Sequence, residues 1–276
     1  YCQPPRAVDE DERDFWTEHG DAGGVPVPFV FDDGEPDAPP GTLISMCTST
    51  EKVKGFLRES SERLFRHMPD LGGVILITDS EYPSHCWARH PTERQPLVGF
   101  PQMETDKLCP RCEERHPAEV IGEIIQLVRT GIRAASKDAS IIIWDWCWWW
   151  HEKRPHPQLV GGLPNDVIVM SGFEQGGRKK IVGRVRPVEE YSLSYTGPAP
   201  HFRRICELAA KRQLPTIAKL QVGTTHELGT VPNLPLIGNL YDKAHAMRRI
   251  GVGGYVGCWN FGNMATANSV AFNRFF

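Results

Sequence analysis

The stretch Ser140–His151, SIIIWDWCWWWH, decides the fold class of this chain. Ile141–Ile143 is a β-branched run of the kind that forms a strand buried on both faces, as in a parallel sheet covered by helices. The same stretch contains five of the eight tryptophans of the chain and one carboxylate, Asp145. It therefore predicts a parallel strand that ends in an aromatic cluster.

An indole ring beside a carboxylate suits a sugar ligand. The apolar face of the sugar stacks on the ring, and the sugar hydroxyls hydrogen-bond to the acid. The alternative is a tryptophan-rich core edge, although one strand face cannot bury Trp148–Trp150 together. We expect Asp145, Trp146 and Trp148 to bind substrate.

Segments on both sides of this stretch alternate strand and helix patterns, which indicates βαβ units and a parallel sheet. Thr48-x-x-Glu51 has the spacing of a capping box, and Pro117 suits the first turn of a helix. No Gly-rich phosphate loop follows any predicted strand, which disfavours an open doubly wound sheet. The predicted fold is an incomplete (β/α)8 TIM-type barrel of about six visible units. Its strands are predicted at residues 41–47, 73–78, 166–171, 216–222 and 254–259, and in the Trp-rich stretch, where the strand ends at Asp145.

The Pro-, Gly- and acid-rich residues 1–40 indicate an irregular segment with one short helix around Glu10–His19. Residues 41–276 form the predicted catalytic domain, with a long Cys-containing loop after its second visible strand. The sequence begins with Tyr1, so we expect the natural N-terminus, and any targeting segment, to lie upstream.

The composition favours an ordinary globular protein with a carbohydrate ligand. A net charge of −3 gives no electrostatic reason to expect a nucleic-acid or membrane partner. Eight cysteines in 276 residues are too few for a disulfide scaffold, which favours a mostly reduced protein in a cytoplasmic setting. The sequence indicates no organic cofactor and says nothing about the oligomeric state.

Acidic side chains follow several of the predicted strands. Asp79 and Glu81 come after the second strand, and Glu227 follows the fifth in the run GTTHE. Because barrel enzymes react at the carboxyl ends of their strands, these acids are candidates for glycoside cleavage, which needs a proton donor and a second carboxylate. His226, Trp259 and Asn260 at the same ends are candidates for substrate binding.

Several blocks of the sequence resemble those of bacterial proteins described as family 20-like glycoside hydrolases. They are LITDSEYPSHCW, LCPRCEERHPAEVI, IIIWDWCWW, AKLQVGTTHELGTVPNLP and GYVGCWNFG, within residues 41–263. If the six units are the last six of eight, Glu81 and Glu227 also occupy the catalytic positions of retaining (β/α)8 glycoside hydrolases. The resemblance implies that Glu81 is the general acid/base and Glu227 the nucleophile of a glycosidase.

The sequence departs from family 20 at one point, because Ser80 separates Asp79 from Glu81 where that family has an adjacent Asp-Glu pair. A substrate-assisted mechanism of the N-acetylhexosaminidase type, with a role for Asp79, is therefore an alternative. A non-catalytic carbohydrate-binding barrel is a second alternative. Metal-dependent hydrolysis is a third, although no predicted strand carries a His-x-His pair.

The sequence Cys109-Pro-Arg-Cys112 predicts half of a structural zinc site, since such a turn lets two thiolates converge on one metal. Cys86 lies in the same loop, and His85, His90 and His116 compete for the fourth position. We expect Cys86, Cys109, Cys112 and His90 to be the ligands. His151 is either a sugar ligand or an ordinary loop histidine, and the sequence favours the second.

Overall fold

The computed structural model describes residues 23–29, 41–79, 84–88, 109–188, 191–223, 234–258 and 265–276. The chain divides into two compact units, Tyr1–Pro164 and Asn165–Phe276. In the described part of the chain, no helix combines the length and apolarity that crossing a membrane requires.

The first unit contains two strands that pair in parallel and two long helices that pack on each other. Strand β3 lies beside β4 with Ile75 opposite Ile142. Helix α1 buries Leu57 and Phe65, and helix α2 buries Ile124. The elements are β1 (Gly23–Phe29), β2 (Gly41–Met46), α1 (Glu51–His67), β3 (Gly73–Ile77), α2 (Pro117–Ala135), β4 (Ser140–Trp144), a 3-10 turn (Trp148–Trp150) and α3 (Pro157–Gly162).

The second unit contains three strands that pair in parallel, β5 with β8 and β8 with β9. Between β5 and β8, β6 and β7 form an antiparallel hairpin. The elements are β5 (Ile168–Gly172), β6 (Gly177–Ile181), β7 (Arg184–Val188), α4 (Pro200–Lys211), β8 (Thr216–Lys219), α5 (Ile237–Ile250), β9 (Gly254–Val256) and α6 (Ala267–Phe275).

The architecture is mixed α/β, with five strands that pair in parallel within their units. It is compatible with a partial α/β barrel, and the described residues do not show eight units. The expectation of about six units is too high by one for this part of the chain. The strand after residue 40 is β2, which pairs with β1 in an antiparallel ladder instead of joining the parallel strands.

Strand β1 lies where the sequence indicates irregular structure. The prolines Pro26 and Pro28 argue against a central strand, because proline donates no hydrogen bond to a ladder. Their spacing of two places both nitrogens at the same edge of β1, and the other edge is free to pair with β2. The predicted helix around Glu10–His19 lies outside the described residues.

Helix α1 is capped two residues later than the predicted capping box, which begins at Thr48. Its N-cap is Thr50, whose Oγ1 accepts a hydrogen bond from the Val53 N–H at 3.4 Å. Thr48 is buried and does not cap the helix. Thr50 also donates its hydroxyl to the carbonyl of Cys47 at 2.9 Å, so the cap fixes the segment that leads out of β2.

Two glycines of α2 provide a matched test of the α1–α2 packing. A Cβ at Gly131 would lie 2.1 Å from the Arg58 carbonyl oxygen of α1, whereas a Cβ at Gly122 meets no described atom within 4 Å. We expect Gly131→Ala to lower the free energy of unfolding by about 1–3 kcal/mol through overpacking. Gly122→Ala should raise it by up to about 1 kcal/mol through helix propensity.

Urea unfolding followed by far-UV circular dichroism measures both variants. Equal stability of the two alanine variants would contradict the close approach of the helices at Gly131.

Candidate functional site

Four cysteines of the first unit converge to form what we call the cysteine cluster. Cys47 follows β2, Cys86 lies in the segment 84–88, and Cys109 and Cys112 flank the turn before α2. All four side chains are buried, and their sulfur atoms lie within 4.8 Å of one another.

The sulfur–sulfur distances match a metal site and not a disulfide. The Sγ of Cys47 lies 3.7 Å from the Sγ of Cys109 and 3.7 Å from the Sγ of Cys112. A disulfide requires about 2.05 Å. A tetrahedron with metal–sulfur bonds of about 2.3 Å has sulfur–sulfur edges of about 3.8 Å. The four free cysteines can therefore hold a tetrahedral metal ion.

Backbone hydrogen bonds preform the two halves of the cluster. The N–H groups of Cys112 and Glu113 donate to the Cys109 carbonyl at 2.8 and 3.0 Å and close the Cys-Pro-Arg-Cys turn. The N–H of Thr50 donates to the Cys47 carbonyl at 3.1 Å. These bonds fix the backbone at Cys47, Cys109 and Cys112, three of the four residues of the cluster.

Donors around the cluster favour negative charge on sulfur. The Nε of Arg111 donates to Cys47 Sγ at 3.3 Å, and the Ser49 hydroxyl lies 3.3 Å from Cys112 Sγ. The Cys47 pKa lies far below its ordinary value, chiefly because Cys112 and then Cys86 hydrogen-bond to its sulfur, with Arg111 adding to the effect. The Cys86 pKa is raised by its hydrogen bonds to Cys112 and Cys47 and by burial.

The structure brings together three of the four predicted ligands, Cys86, Cys109 and Cys112, and supplies Cys47 as the fourth. His90 lies outside the described residues. His116 does not join the cluster, because it caps α2 by accepting the Ala118 N–H at 3.2 Å. The sequence signal for Cys47 is its position directly after a predicted strand, but spacing along the chain does not link it to a turn that begins 62 residues later.

A second group of titratable side chains, which we call the Asp–His cluster, lies at the carboxyl ends of β3 and β4. Asp79 follows β3 by two residues, His85 lies in the segment 84–88, and His151 follows the 3-10 turn. All three side chains are buried. The Nε2 of His151 lies 2.5 Å from Asp79 Oδ2, and the Nε2 of His85 lies 3.8 Å from Asp79 Oδ1.

These distances place His151 in direct contact with Asp79. Such a contact is favourable when a proton or a metal cation lies between the two atoms, since two lone pairs repel at that distance. Two ligands of one tetrahedral ion, each about 2.1 Å from it, would lie about 3.4 Å apart. His151 is therefore not the ordinary loop histidine that the sequence indicates, and its burial against Asp79 corrects that interpretation.

The tryptophan-rich segment holds His151 in place. Trp148 is fully buried, and its indole N–H donates to Thr78 Oγ1 at 2.9 Å, next to Asp79 in sequence. In this structure Trp148 presents no ring face to solvent. Trp146 and Trp149 are half-buried and meet edge to face with 5.2 Å between ring centroids.

Asp145 is buried at the end of β4 and faces a cation. The Arg154 guanidinium lies 4.6 Å from the centre of the Trp149 ring. Burial lowers the Arg154 pKa, and the negative charge of Asp145 opposes this effect. Asp145, Trp146, Trp149 and Arg154 thus combine aromatic faces and charges at one strand end.

The other predicted site residues lie outside the described residues. Their assignments stay predictions. They are Glu81, Glu227, His226, Trp259, Asn260 and His90.

Sequence reasoning missed a buried ion pair in the second unit. Lys243 of α5 donates to Glu174 Oε1 at 2.5 Å, to the Ser192 carbonyl at 2.7 Å and to the Gln221 carbonyl at 2.9 Å. Burial raises the Glu174 pKa, and Lys243 opposes that rise. Since all three ammonium donors are used, this pair joins β5, α5 and the end of β8 as a structural link.

A comparison with models of protein families gives no match to this chain, and a comparison with curated proteins gives none either.

The buried pair predicts a large and asymmetric response to substitution. Lys243→Met leaves the Glu174 carboxylate buried without its cation and should lower the free energy of unfolding by about 3–5 kcal/mol. The double variant Glu174→Gln/Lys243→Met should recover most of that loss, because the glutamine oxygen still accepts the Gln221 N–H.

Thermal and urea unfolding measure both changes. Lys211→Met, at an exposed position of α4, is the control and should change stability by less than about 0.5 kcal/mol. If the double variant were no more stable than Lys243→Met, the buried charge would not be the cause of the loss.

Proposed function

We propose that this chain hydrolyses a glycosidic bond and that its active site lies at the carboxyl ends of β3 and β4. The observation that carries the proposal is the buried Asp79 carboxylate, which follows β3 and lies 2.5 Å from His151. Enzymes of the α/β-barrel class react at this end of their strands. The resemblance to family 20-like glycoside hydrolases supplies the reaction class.

Two mechanisms fit this proposal. In the first, Glu81 protonates the leaving-group oxygen while Glu227 attacks the anomeric carbon, and water then releases the sugar. In the second, the substrate's own acetamido oxygen attacks the anomeric carbon, Glu81 still protonates the leaving group, and Asp79 accepts a hydrogen bond from the acetamido N–H. Asp145 and Trp146 would bind the sugar in either case.

A panel of aryl glycosides with and without a 2-acetamido group tests the proposal. If the substrate assists, only 2-acetamido sugars are cleaved, and Asp79→Asn lowers kcat by about 10²–10⁴-fold while Glu227→Gln has little effect. If the paired carboxylates act, Glu227→Gln abolishes turnover. Turnover by both Glu81→Gln and Glu227→Gln at the parent rate would contradict the paired mechanism.

Calorimetry separates an enzyme from a binding protein. Sugar binding without hydrolysis of any substrate in the panel would favour a non-catalytic carbohydrate-binding barrel over a hydrolase.

Metal-dependent hydrolysis is the second candidate function, and one observation favours it. One ligand atom from each of Asp79, His85 and His151 lies within 4.8 Å of the others, a group that can hold a metal ion with open coordination positions. The 2.5 Å contact between Asp79 and His151 is shorter than the separation of about 3.4 Å that two ligands of one tetrahedral ion would have. Loss of activity in chelator, with the folded state and the tetrathiolate metal retained, would favour the metal.

We propose that the cysteine cluster binds a structural zinc ion. The proposal rests on the 3.7 Å sulfur–sulfur distances and on the burial of all four thiols. Four thiolates and Zn²⁺ carry a net charge of about −2, which the Arg111 cation beside Cys47 partly offsets. Such a metal would join the end of β2, the segment 84–88 and the start of α2.

Metal analysis of the purified chain should find about one zinc per chain. Replacement by Co²⁺ should give the sulfur-to-metal charge-transfer absorption of a tetrathiolate, and Cys47→Ser should weaken it. Cys206→Ser, at a buried cysteine of the second unit, is the matched control and should leave both the zinc content and the spectrum unchanged. A metal-free chain that does not take up Co²⁺ would contradict the proposal.

A further inference from the structure

We infer that the metal held by the cysteine cluster also positions the Asp–His cluster, and that it does so through Cys86 and its neighbour His85. The inference rests on the proposed metal site. It assigns to Cys86 the role of a positioning residue, in addition to that of a ligand.

Consecutive residues connect the two clusters. Cys86 contributes its sulfur to the cysteine cluster, and His85 contributes its imidazole to the Asp–His cluster. The α-carbons of neighbouring residues are about 3.8 Å apart. A displacement of Cys86 is therefore transmitted to His85 within one peptide unit.

The segment 84–88 holds the His85 ring in one orientation. The Trp87 N–H donates to His85 Nδ1 at 3.2 Å, and the Ala88 N–H donates to the His85 carbonyl at 3.0 Å. Because Nδ1 accepts this bond, a neutral His85 carries its proton on Nε2. That nitrogen is the one that faces Asp79 Oδ1 at 3.8 Å.

The side chain of Trp87 provides a second connection. It packs against the four cysteines, and its ring meets the His151 ring edge to face with 6.4 Å between centroids. His151 is the histidine in direct contact with Asp79. Both histidines of the Asp–His cluster therefore depend on the placement of the segment that contains Cys86.

Metal coordination would supply the precision that this segment needs. The segment is an irregular turn outside any helix or strand. The Ser45 hydroxyl lies 3.9 Å from the Cys86 sulfur, a long contact compared with a bond to metal of about 2.3 Å. A shift of about 1 Å in a catalytic group can lower a rate by as much as 10²-fold. Losing the metal–Cys86 bond should therefore affect catalysis more than losing another ligand bond.

Two ligand variants test the inference, because each removes one thiolate and leaves three. Cys86→Ser breaks the bond next to His85, and Cys112→Ser breaks one on the side of α2. Both are compared with the parent chain at equal metal content and equal thermal stability. The imidazole signals of His85 and His151 are followed by two-dimensional ¹H–¹⁵N NMR and assigned with His85→Gln and His151→Gln.

We expect Cys86→Ser to shift or broaden the His85 signals and to lower kcat by about 10–100-fold with KM within about twofold. Cys112→Ser should shift the His85 signals less than Cys86→Ser does, and should lower kcat less. If Cys86→Ser does not fold, removal and return of the metal in the parent chain, with the fold followed by circular dichroism, should move the His85 signals reversibly.

The outcomes separate this inference from the proposals that precede it. A chain that binds no metal overturns both the zinc site and the positioning role. Metal binding with equal histidine signals in Cys86→Ser and Cys112→Ser overturns the positioning role alone. If the chain cleaves no glycoside, the histidine signals still show whether the metal positions the Asp–His cluster.

Discussion

The convergence of four buried thiols is the constraint on which the first unit depends. The cysteines come from the end of β2, from the segment 84–88 and from the turn before α2, so their contact closes long loops that carry little core of their own. Loop closure costs entropy, which grows slowly with loop length. A metal ion that binds only the assembled thiols would recover that cost, because its binding free energy becomes folding free energy.

The segment that carries Cys86 also reaches the carboxyl ends of β3 and β4. His85 is the chain neighbour of Cys86, and Trp148 fixes the 3-10 turn by donating a hydrogen bond to Thr78. Asp79 then meets His151 in a buried environment where charge interactions are stronger than in water. The tryptophan-rich segment thus has two parts. Trp148 is buried and hydrogen-bonds beside Asp79, whereas Trp146 and Trp149 are half-buried.

Predictions from local pattern succeeded where one interaction dominates. β-Branched runs located β3 and β4, and Pro117 marked the start of α2. They failed at β1, whose alternating prolines are tolerated because both proline nitrogens lie at the edge that does not pair with β2. They also failed at Lys243 and Glu174, whose pairing joins separate elements and leaves no periodic signal in the sequence.

The sequence by itself determined the α/β class, the Cys-Pro-Arg-Cys half of the cysteine cluster and the acids that follow the predicted strands. These features depend on residues near one another along the chain, where spacing specifies geometry. Only the tertiary structure decided that Cys47 is the fourth thiol, that β2 pairs with β1, and that His151 contacts Asp79. Each of these depends on how distant segments pack, and a thiol or an imidazole becomes a ligand or an ion-pair partner only when folding buries it beside another.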